Sequence, residues 1–365
     1  MASTLRFLRE YLHPHGPAVT HTETGYRREG QALPASLYRP AGRTGPRPTW
    51  IVLHGITYHG RRHAALERFA RALAASGAAV FVPEVPEWRR LEVAPAVTAP
   101  TIASSIEALL AADVAVPERI GVFGFSFGAT HGLASLTDPA LLGRVRAMAA
   151  WGGYYDLHDL FRFGLTGEHE IDGIRRTIRP DPYGAWVMGA NYLTHVPEHA
   201  ADHAVAGALR RLAEESGRRG VFAGAPVYDG LKAELRAPLP PEQQAVFDLF
   251  APPAGRLPDD FERAVSLAAA LADAALGVDP LLDPAPRLAG IRARTLIAHG
   301  RDDCLVPYTE SIRLSRALPP GCCVGCVVTP LFGHSGGTPV GRHPLRAARE
   351  GLRFVQLLRD TLGLV

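Results

Sequence analysis

Short, almost continuous apolar runs recur along the first 155 residues, and most are followed by a stretch with helical spacing. Residues 50–53 form one such run, and in residues 61–76 the apolar side chains recur every three to four positions. Strands that are apolar at nearly every position are buried on both faces, which is typical of parallel sheets covered by helices. The predicted strands are 50–53, 78–83, 119–125, 145–151, 295–298 and 322–328, and the predicted helices are 1–14, 61–76, 102–111, a helix from 128, 309–318 and 344–362.

The pattern changes between residues 157 and 285. Helical spacing marks 204–216, 241–250 and 260–276, Pro- and Gly-rich breaks separate these segments, and no strand pair stands out. Strand–helix alternation resumes after the Pro-rich residues 279–286. We therefore predict an α/β core made of residues 1–156 and 286–365, with residues 157–285 inserted as a largely helical lid.

Charge and lysine content exclude several functions. The chain has 39 basic and 36 acidic residues, a net charge of +3, and its arginines are interleaved with acids, so we expect no nucleic-acid partner. Lys232 is the single lysine, and its Gly-Leu-Lys-Ala context does not fit a phosphate-binding loop. Schiff-base chemistry would depend on this one residue. We expect no cofactor.

We see no targeting or membrane-spanning pattern. Residues 1–14 alternate apolar and charged positions, as an amphipathic helix does, and the apolar stretch 264–278 is interrupted by Asp273 and too short for a bilayer. Four cysteines are too few for a disulfide scaffold. We expect a cytoplasmic protein without a membrane span, and the sequence leaves homo-oligomer formation open.

The sequence Gly-Phe-Ser-Phe-Gly at 124–128 joins a predicted strand to a helix of small residues. A serine on such a strand–turn–helix junction is held in a strained conformation with its hydroxyl above the sheet edge. The small residues two positions before and after it let strand and helix approach without a Cβ clash. Ser126 is therefore the candidate nucleophile.

A serine nucleophile needs a base and a carboxylate that orients the base. Two later strands end in loops that offer them: residues 299–307 contain Asp303, and residues 332–337 contain His334. The carboxyl ends of parallel strands are where open α/β sheets place their ligands. The order Ser126, Asp303, His334 is the order expected in α/β hydrolases.

With these motifs the chain resembles an α/β-hydrolase-fold serine hydrolase of the esterase and lipase kind, over about residues 20–156 and 287–365. The resemblance implies a mostly parallel sheet with helices on both faces and a helical cap inserted between the sixth and seventh core strands. It also implies that Ser126 is the nucleophile, Asp303 the orienting acid and His334 the general base, with no metal or cofactor.

The resemblance extends to the loop after the first predicted strand. His54-Gly55 resembles the oxyanion loop of the fold, which assigns the backbone N–H groups of Ile56 and Phe127 as donors to the oxyanion. We expect His54 to hold this loop by a hydrogen bond, and its alternative role is that of the base.

Two other carboxylates compete for the role of the acid. Asp302 adjoins Asp303, and the pattern Gly-x-x-Asp-x-x-Val-Pro favours Asp303, which leaves Asp302 to cap the loop. Asp156 follows a predicted strand that some members of the fold use for the acid. Its alternative role is the cap of the first lid helix.

Two patterns suggest metal binding. His199 and His203 lie four apart on a predicted helix, and Cys322, Cys323 and Cys326 lie close together on a predicted strand. Neither set has its remaining ligands at the expected spacing. We expect a solvated helix face and buried free thiols, and no metal site.

Aromatic residues near these motifs are candidates for a substrate pocket. Two lie on the oxyanion loop, one follows a predicted strand, and four lie early in the insertion. These candidates are Tyr58, His59, Tyr154, Phe161, Phe163, Trp186 and Tyr192.

The predicted function is hydrolysis of a carboxylic ester of a small to medium, largely apolar acyl substrate, through an acyl-enzyme. A peptidase, a thioesterase or a C–C bond hydrolase with the same triad is the alternative within catalysis. A non-catalytic binding protein of the same fold is the alternative outside it.

Overall fold

The computed structural model describes residues 2–14, 16–331 and 344–365. In these ranges the chain forms ten strands: β1 (Val19–Arg28), β2 (Gln31–Pro40), β3 (Arg47–Leu53), β4 (Ala79–Pro83), β5 (Ala115–Phe125), β6 (Ala147–Trp151), β7 (Glu168–Ile171), β8 (Ile174–Thr177), β9 (Arg294–Gly300) and β10 (Cys323–Thr329). All six strands predicted from apolar runs are confirmed, with ends that differ by at most four residues.

Eight of the described strands form one sheet in the order β1-β2-β4-β3-β5-β6-β9-β10. Strands β3, β4, β5, β6, β9 and β10 run parallel to one another, and β1 and β2 join the sheet as an antiparallel pair next to β4. The sheet is therefore mostly parallel, as predicted. It places the ends of β5, β9 and β10 at one edge.

The helices over the described residues are α1 (Ala2–Leu12), α2 (Ala64–Ala75), α3 (Pro86–Arg89), α4 (Thr98–Ala111), α5 (Phe127–Ala134), α6 (Leu157–Thr166), α7 (Pro182–Tyr192), α8 (His203–Arg219), α9 (Asp229–Arg236), α10 (Pro241–Phe250), α11 (Phe261–Val278), α12 (Ala285–Leu288), α13 (Tyr308–Ala317) and α14 (Pro344–Leu362). No helix among them is long and apolar enough to cross a membrane.

The continuous apolar runs have a direct structural cause. In β3, Trp50 and Val52 pack into one hydrophobic cluster while Ile51 and Leu53 pack into another, so successive side chains enter opposite faces of the sheet. Helices α1, α2 and α14 contribute to the first cluster, and α4, α5 and α13 contribute to the second. Both faces are thus buried, which is why these strands lack polar alternation.

The chain between the sixth and seventh strands of the sheet, β6 and β9, carries α6 to α12. Inside this insertion α7 packs on α8, and α6 packs on α11. The side chains of these helices extend the second hydrophobic cluster, the one that also contains α5 and α13. The insertion therefore shares a core with one face of the sheet.

The expectation that the insertion has no strand pair is wrong. Strands β7 and β8 form an antiparallel hairpin whose turn, Asp172-Gly173, has positive φ at both residues. Such a turn favours a two-residue hairpin, so Asp-Gly was the available signal. The hairpin lacks apolar periodicity because β8 is exposed along its length.

Candidate active site

Ser126 lies between β5 and α5 in a conformation that non-glycine residues rarely adopt, with φ 55° and ψ −124°. Its N–H donates to the carbonyl oxygen of Trp151 at 2.9 Å, which fixes the turn on the neighbouring strand β6. The residue is partly accessible to solvent. A strained, accessible serine at a strand–helix junction is the geometry of a nucleophile elbow.

The glycines around Ser126 are required by close backbone approach. A Cβ on Gly124 would lie 2.2 Å from the carbonyl oxygen of Gly128, and a Cβ on Gly128 would lie 2.5 Å from that of His54. A Cβ on Gly55 would lie 3.0 Å from the Cβ of Ser126. The turn and the loop after β3 are therefore packed directly against each other.

His54 fixes the first peptide of the loop after β3. Its Nδ1 lies 2.7 Å from the oxygen of Gly55, and its Nε2 accepts the N–H of Val85 at 3.3 Å. Because a carbonyl oxygen only accepts, Nδ1 carries the proton and donates to Gly55. Burial lowers the pKa of His54 to about 4, so the ring is neutral near pH 7. His54 is saturated by the backbone, which fits a role in holding the loop.

The N–H groups of Ile56 and Phe127 donate no hydrogen bond to any residue within the described ranges. Phe127 is the first residue of α5, where helical N–H groups have no partner inside their own helix. Gly55, which precedes Ile56, lies against Ser126. Two N–H groups thus remain available beside the serine.

The far end of the same loop is also anchored. The N–H of Gly60 donates to the oxygen of Thr57 at 3.0 Å, and Gly60 has a positive φ of 52°. Next to it, the buried guanidinium of Arg61 lies 3.5 Å from the carboxylate of Glu84 and 2.8 Å from that of Glu23. Residues 54–61 are therefore held at both ends.

Asp303 is almost fully buried in the loop after β9, with 1% of its surface exposed, whereas Asp302 is exposed. One carboxylate oxygen of Asp303, Oδ1, accepts the N–H groups of Leu305 at 2.9 Å and Val306 at 3.0 Å. Two backbone donors on one oxygen fix the orientation of the carboxylate. The local geometry therefore distinguishes Asp303 from its neighbour.

The other oxygen of Asp303, Oδ2, lies 3.4 Å from Nε2 of His299, a residue buried at the end of β9. The same Nε2 donates to the oxygen of Val306 at 2.8 Å, and Nδ1 lies 2.6 Å from the hydroxyl of Ser311. His299 therefore supports the loop after β9, residues 301–307, which carries the candidate acid Asp303 and is called the acid loop. Sequence reasoning did not single it out, although it directly precedes Gly300.

Asp156 has the capping role that was its alternative assignment. Its carboxylate accepts the N–H of Asp159 at 3.0 Å at the start of α6. The N–H groups of Tyr155 and Asp156 donate to the buried carboxylate of Glu310 at 3.0 and 2.8 Å. Burial raises the pKa of Glu310 to about 7, against the opposing effect of these two N–H groups. Glu310 thus fastens the start of the insertion to α13.

His334 lies outside the described residues, in the segment after β10. The strands that carry the other two candidates are separated by one strand, because the order is β5-β6-β9. At about 4.8 Å between neighbouring strands, the ends of β5 and β9 are roughly 10 Å apart. That separation leaves room for a side chain that contacts both Ser126 and Asp303.

The pocket candidates fall into two groups. Tyr58 is 36% exposed on the loop after β3, and His59 beside it is half-buried. The other five are buried and contribute almost no surface to any open pocket. These are Tyr154, Phe161, Phe163, Trp186 and Tyr192.

The contacts of three of the buried candidates explain their burial. The indole N–H of Trp186 donates to the oxygen of Phe250 at 2.9 Å inside the insertion. Phe163 is fully buried, and its ring packs 5.7 Å from that of His169. The hydroxyl of Tyr154 accepts from His131 at 2.8 Å and donates to the oxygen of Leu282.

Neither metal pattern is assembled in the part of the chain that the structure describes, and no cluster of three His, Cys, Asp or Glu side chains there is arranged to hold a metal ion. His203 begins α8, while His199 precedes the helix and bonds Asp202 at 2.7 Å, so the two histidines do not share a helix face. The expectation of buried thiols on β10 is wrong. Because β10 is an edge strand, Cys322 and Cys323 are half-buried and Cys326 is exposed.

No protein-family model matches the chain, and no curated protein matches its sequence. Its fold is similar to that of an acylaminoacyl peptidase of Pyrococcus horikoshii, with a TM-score of 0.50 and 14% identity over 96% of this chain. The chain spans 43% of that peptidase. The fold is also similar to that of a bacterial brefeldin A esterase, with a TM-score of 0.48 and 15% identity over 99% of this chain and 84% of the esterase. For a 2,6-dihydroxy-pseudo-oxynicotine hydrolase the TM-score is 0.47 and the identity 18%, over 99% of this chain and 73% of the hydrolase. Together with the sheet order, the likeness to the peptidase shows the α/β-hydrolase fold.

Proposed function

We propose that the protein is a serine hydrolase that cleaves a carboxylic ester of a small to medium, largely apolar substrate. The observation that carries the proposal is the backbone arrangement around Ser126. This partly accessible residue lies on a strained turn. The N–H groups of Ile56 and Phe127 lie on the two backbone segments that meet at this serine.

In the proposed mechanism the hydroxyl of Ser126 attacks the acyl carbon, and His334 accepts the hydroxyl proton. Asp303 orients His334 and stabilises the imidazolium that forms. The carbonyl oxygen gains negative charge and is stabilised by the N–H groups of Ile56 and Phe127. When the C–O bond to the alcohol breaks, His334 donates the proton to the leaving oxygen. Water then attacks the acyl-enzyme, with His334 as the base, and releases the acid.

The preference for an apolar substrate is supported by the surface near the oxyanion loop. Tyr58 is exposed, and Gly217 near the end of α8 lies close enough that a Cβ there would be 2.6 Å from the Cβ of Tyr58. We propose that residues 157–285 form a cap and that Tyr58 and His59 contribute to the substrate pocket beneath its rim.

The test is a panel of p-nitrophenyl acetate, butyrate and octanoate, with matched anilides and thioesters, on the wild type, Ser126→Ala and Ser135→Ala. Ser135 is the residue that follows the C-terminus of α5, as Ser126 is the one that precedes its N-terminus, and it is half-buried, so its variant controls for loss of a hydroxyl at the other end of α5. Removing a nucleophile of this type lowers kcat by up to about 10⁶-fold. We expect ester hydrolysis to vanish in Ser126→Ala and to persist in Ser135→Ala.

A wild type that turns over anilides or thioesters and not esters would replace the proposed bond specificity with one of the alternatives. A folded wild type without activity on any of the three classes would favour a binding protein. Ester hydrolysis that survives in Ser126→Ala would contradict the assignment of the nucleophile.

A further inference from the structure

The first turn of α7, in the insertion, lies against the loop that carries Asp303. The N–H of Asp181 donates to the oxygen of Cys304 at 2.7 Å, and the carboxylate of Asp181 caps α7 by accepting the N–H of Tyr183 at 3.1 Å. A Cβ on Gly184 would lie 3.5 Å from Cδ2 of Leu305. The start of α7 is therefore fixed on the acid loop.

The same turn reaches the oxyanion loop through one side chain. The hydroxyl of Tyr183 donates to the carbonyl oxygen of Ile56 at 3.3 Å. Burial, with a smaller contribution from Asp181, raises the pKa of Tyr183 well above its usual value. The phenol therefore keeps its proton and remains a donor at neutral pH.

Two consecutive carbonyl groups of the oxyanion loop are thus held by side chains. His54 binds the oxygen of Gly55 from the core, and Tyr183 binds the oxygen of Ile56 from the insertion. In a trans peptide the N–H points opposite to the carbonyl of the same unit, so the Gly55 carbonyl sets the direction of the Ile56 N–H. Because Tyr183 also holds the carbonyl of Ile56, the peptide units on both sides of Ile56 are restrained.

We propose that Tyr183 is a positioning residue that keeps the N–H of Ile56 aimed at the developing oxyanion. The insertion then supplies part of the catalytic geometry in addition to covering the site. This inference rests on the proposed function, because it assigns a role to the oxyanion loop. Since the oxyanion exists in the transition state and not in the bound ester, the effect belongs to kcat rather than KM.

The test compares Tyr183→Phe with Tyr228→Phe. Tyr228 is the matched control, because its buried hydroxyl also donates to a backbone oxygen within the insertion, that of Val221 at 3.1 Å. Both changes remove one hydroxyl and keep the ring. For each variant we would measure kcat and KM with p-nitrophenyl butyrate, the rate at which a fluorophosphonate reacts with Ser126, and the thermal melting temperature.

We expect Tyr183→Phe to lower kcat and the fluorophosphonate rate together by about 10-fold, with KM unchanged. Removing an oxyanion donor outright costs about 10² to 10³-fold, and misorienting one costs less. Tyr228→Phe is expected to match the wild type in both rates. The melting temperature serves to show that both variants are folded.

An unchanged kcat in Tyr183→Phe would overturn the proposal. A raised KM with unchanged kcat would also overturn it, because the hydroxyl would then contact the substrate. An equal loss in Tyr228→Phe would assign the effect to general disturbance of the insertion. A wild type that neither hydrolyses esters nor reacts with the fluorophosphonate would instead contradict the proposed function, and that result appears before any substitution is made.

Discussion

At the scale of single residues, the turn at Ser126 shows how local sequence fixes local geometry. The positive φ of Ser126 is tolerated because Gly124 and Gly128 let β5 and α5 come within contact distance. A Cβ at either glycine would strike backbone oxygens, which cannot move away as the end of a flexible side chain can. The spacing of the motif therefore follows from steric exclusion.

Asp303 and Asp302 provide a direct comparison of two adjacent carboxylates. Asp303→Asn keeps the size of the side chain and is expected to lower kcat by roughly 10⁴-fold, because an amide does not hold the base in its required tautomer. Asp302→Asn, at an exposed position, is expected to leave kcat near the wild-type value. The measurement is kcat with p-nitrophenyl butyrate.

If the two variants lost activity equally, Asp303 would not be the acid. A large loss in Asp156→Asn, whose carboxylate caps α6, would move the acid to the end of β6. Thermal melting of each variant separates lost chemistry from lost folding.

Some residues near the site could be predicted from sequence and others could not. Ser126, Asp303 and His54 lie in motifs whose spacing is set by a single strand and its loop. Tyr183 contacts the loop after β3, and Glu310 contacts the start of the insertion, in each case across more than 100 residues of sequence. Their contacts depend on how the insertion packs, which one-dimensional periodicity does not encode.

At the scale of elements, the buried parallel strands were predictable and the antiparallel ones were not. Each of β3, β4 and β6 is almost fully buried, so its apolar run stands out from its surroundings. In contrast, β1 is exposed over most of its length and carries polar residues at those positions. Its hairpin with β2 is set by the positive φ of Glu29 and Gly30 at the turn.

Helix α13 connects the acid loop to the insertion, and Glu310 makes a buried contact between them. Glu310→Ala leaves the N–H groups of Tyr155 and Asp156 without their acceptor, and we expect the free energy of unfolding to fall by about 3 kcal/mol. Glu310→Gln keeps an acceptor and is expected to lose less. Chemical denaturation monitored by circular dichroism measures both.

Arg316→Ala is the control on the same helix. Arg316 pairs with Asp172 of the β7–β8 hairpin, at an exposed site where solvent screens the interaction. We expect little change in stability. A loss at Arg316 equal to that at Glu310 would mean that the exposed pair fastens the insertion as strongly as the buried carboxylate does, which contradicts the account.

At the scale of the whole molecule, the burial of His54 and His131 makes the free energy of unfolding depend on pH. Burial lowers the pKa of His54 to about 4 and that of His131 to about 3, from an ordinary value of 6.5. Below pH 6.5 the unfolded chain binds protons at these positions while the folded chain does not. These two histidines therefore lower the free energy of unfolding as the pH falls from about 6.5 to 4, and their effect outweighs the opposite effect of Glu310, whose pKa is raised to about 7.

The contribution of His131 is measured by comparing how steeply the free energy of unfolding changes with pH in the wild type and in a variant. His131→Gln removes one of the protons that the unfolded chain binds and the folded chain does not. The slope of the free energy of unfolding against pH, between pH 6 and 4.5, is therefore expected to decrease by up to about 1.4 kcal/mol per pH unit. His203→Gln, at an exposed position, is the control and is expected to keep the wild-type slope. Equal slopes in His131→Gln and the wild type would contradict the burial of a neutral ring at this position.

The central claim is that Ser126 is the nucleophile of a serine hydrolase, and a covalent probe tests it most directly. The folded wild type is incubated with a fluorophosphonate, and intact mass and peptide mapping locate the adduct. We predict one adduct per chain, on Ser126, and none on a folded Ser126→Ala variant. A folded wild type that takes up no probe, or an adduct that persists in Ser126→Ala, would contradict the claim.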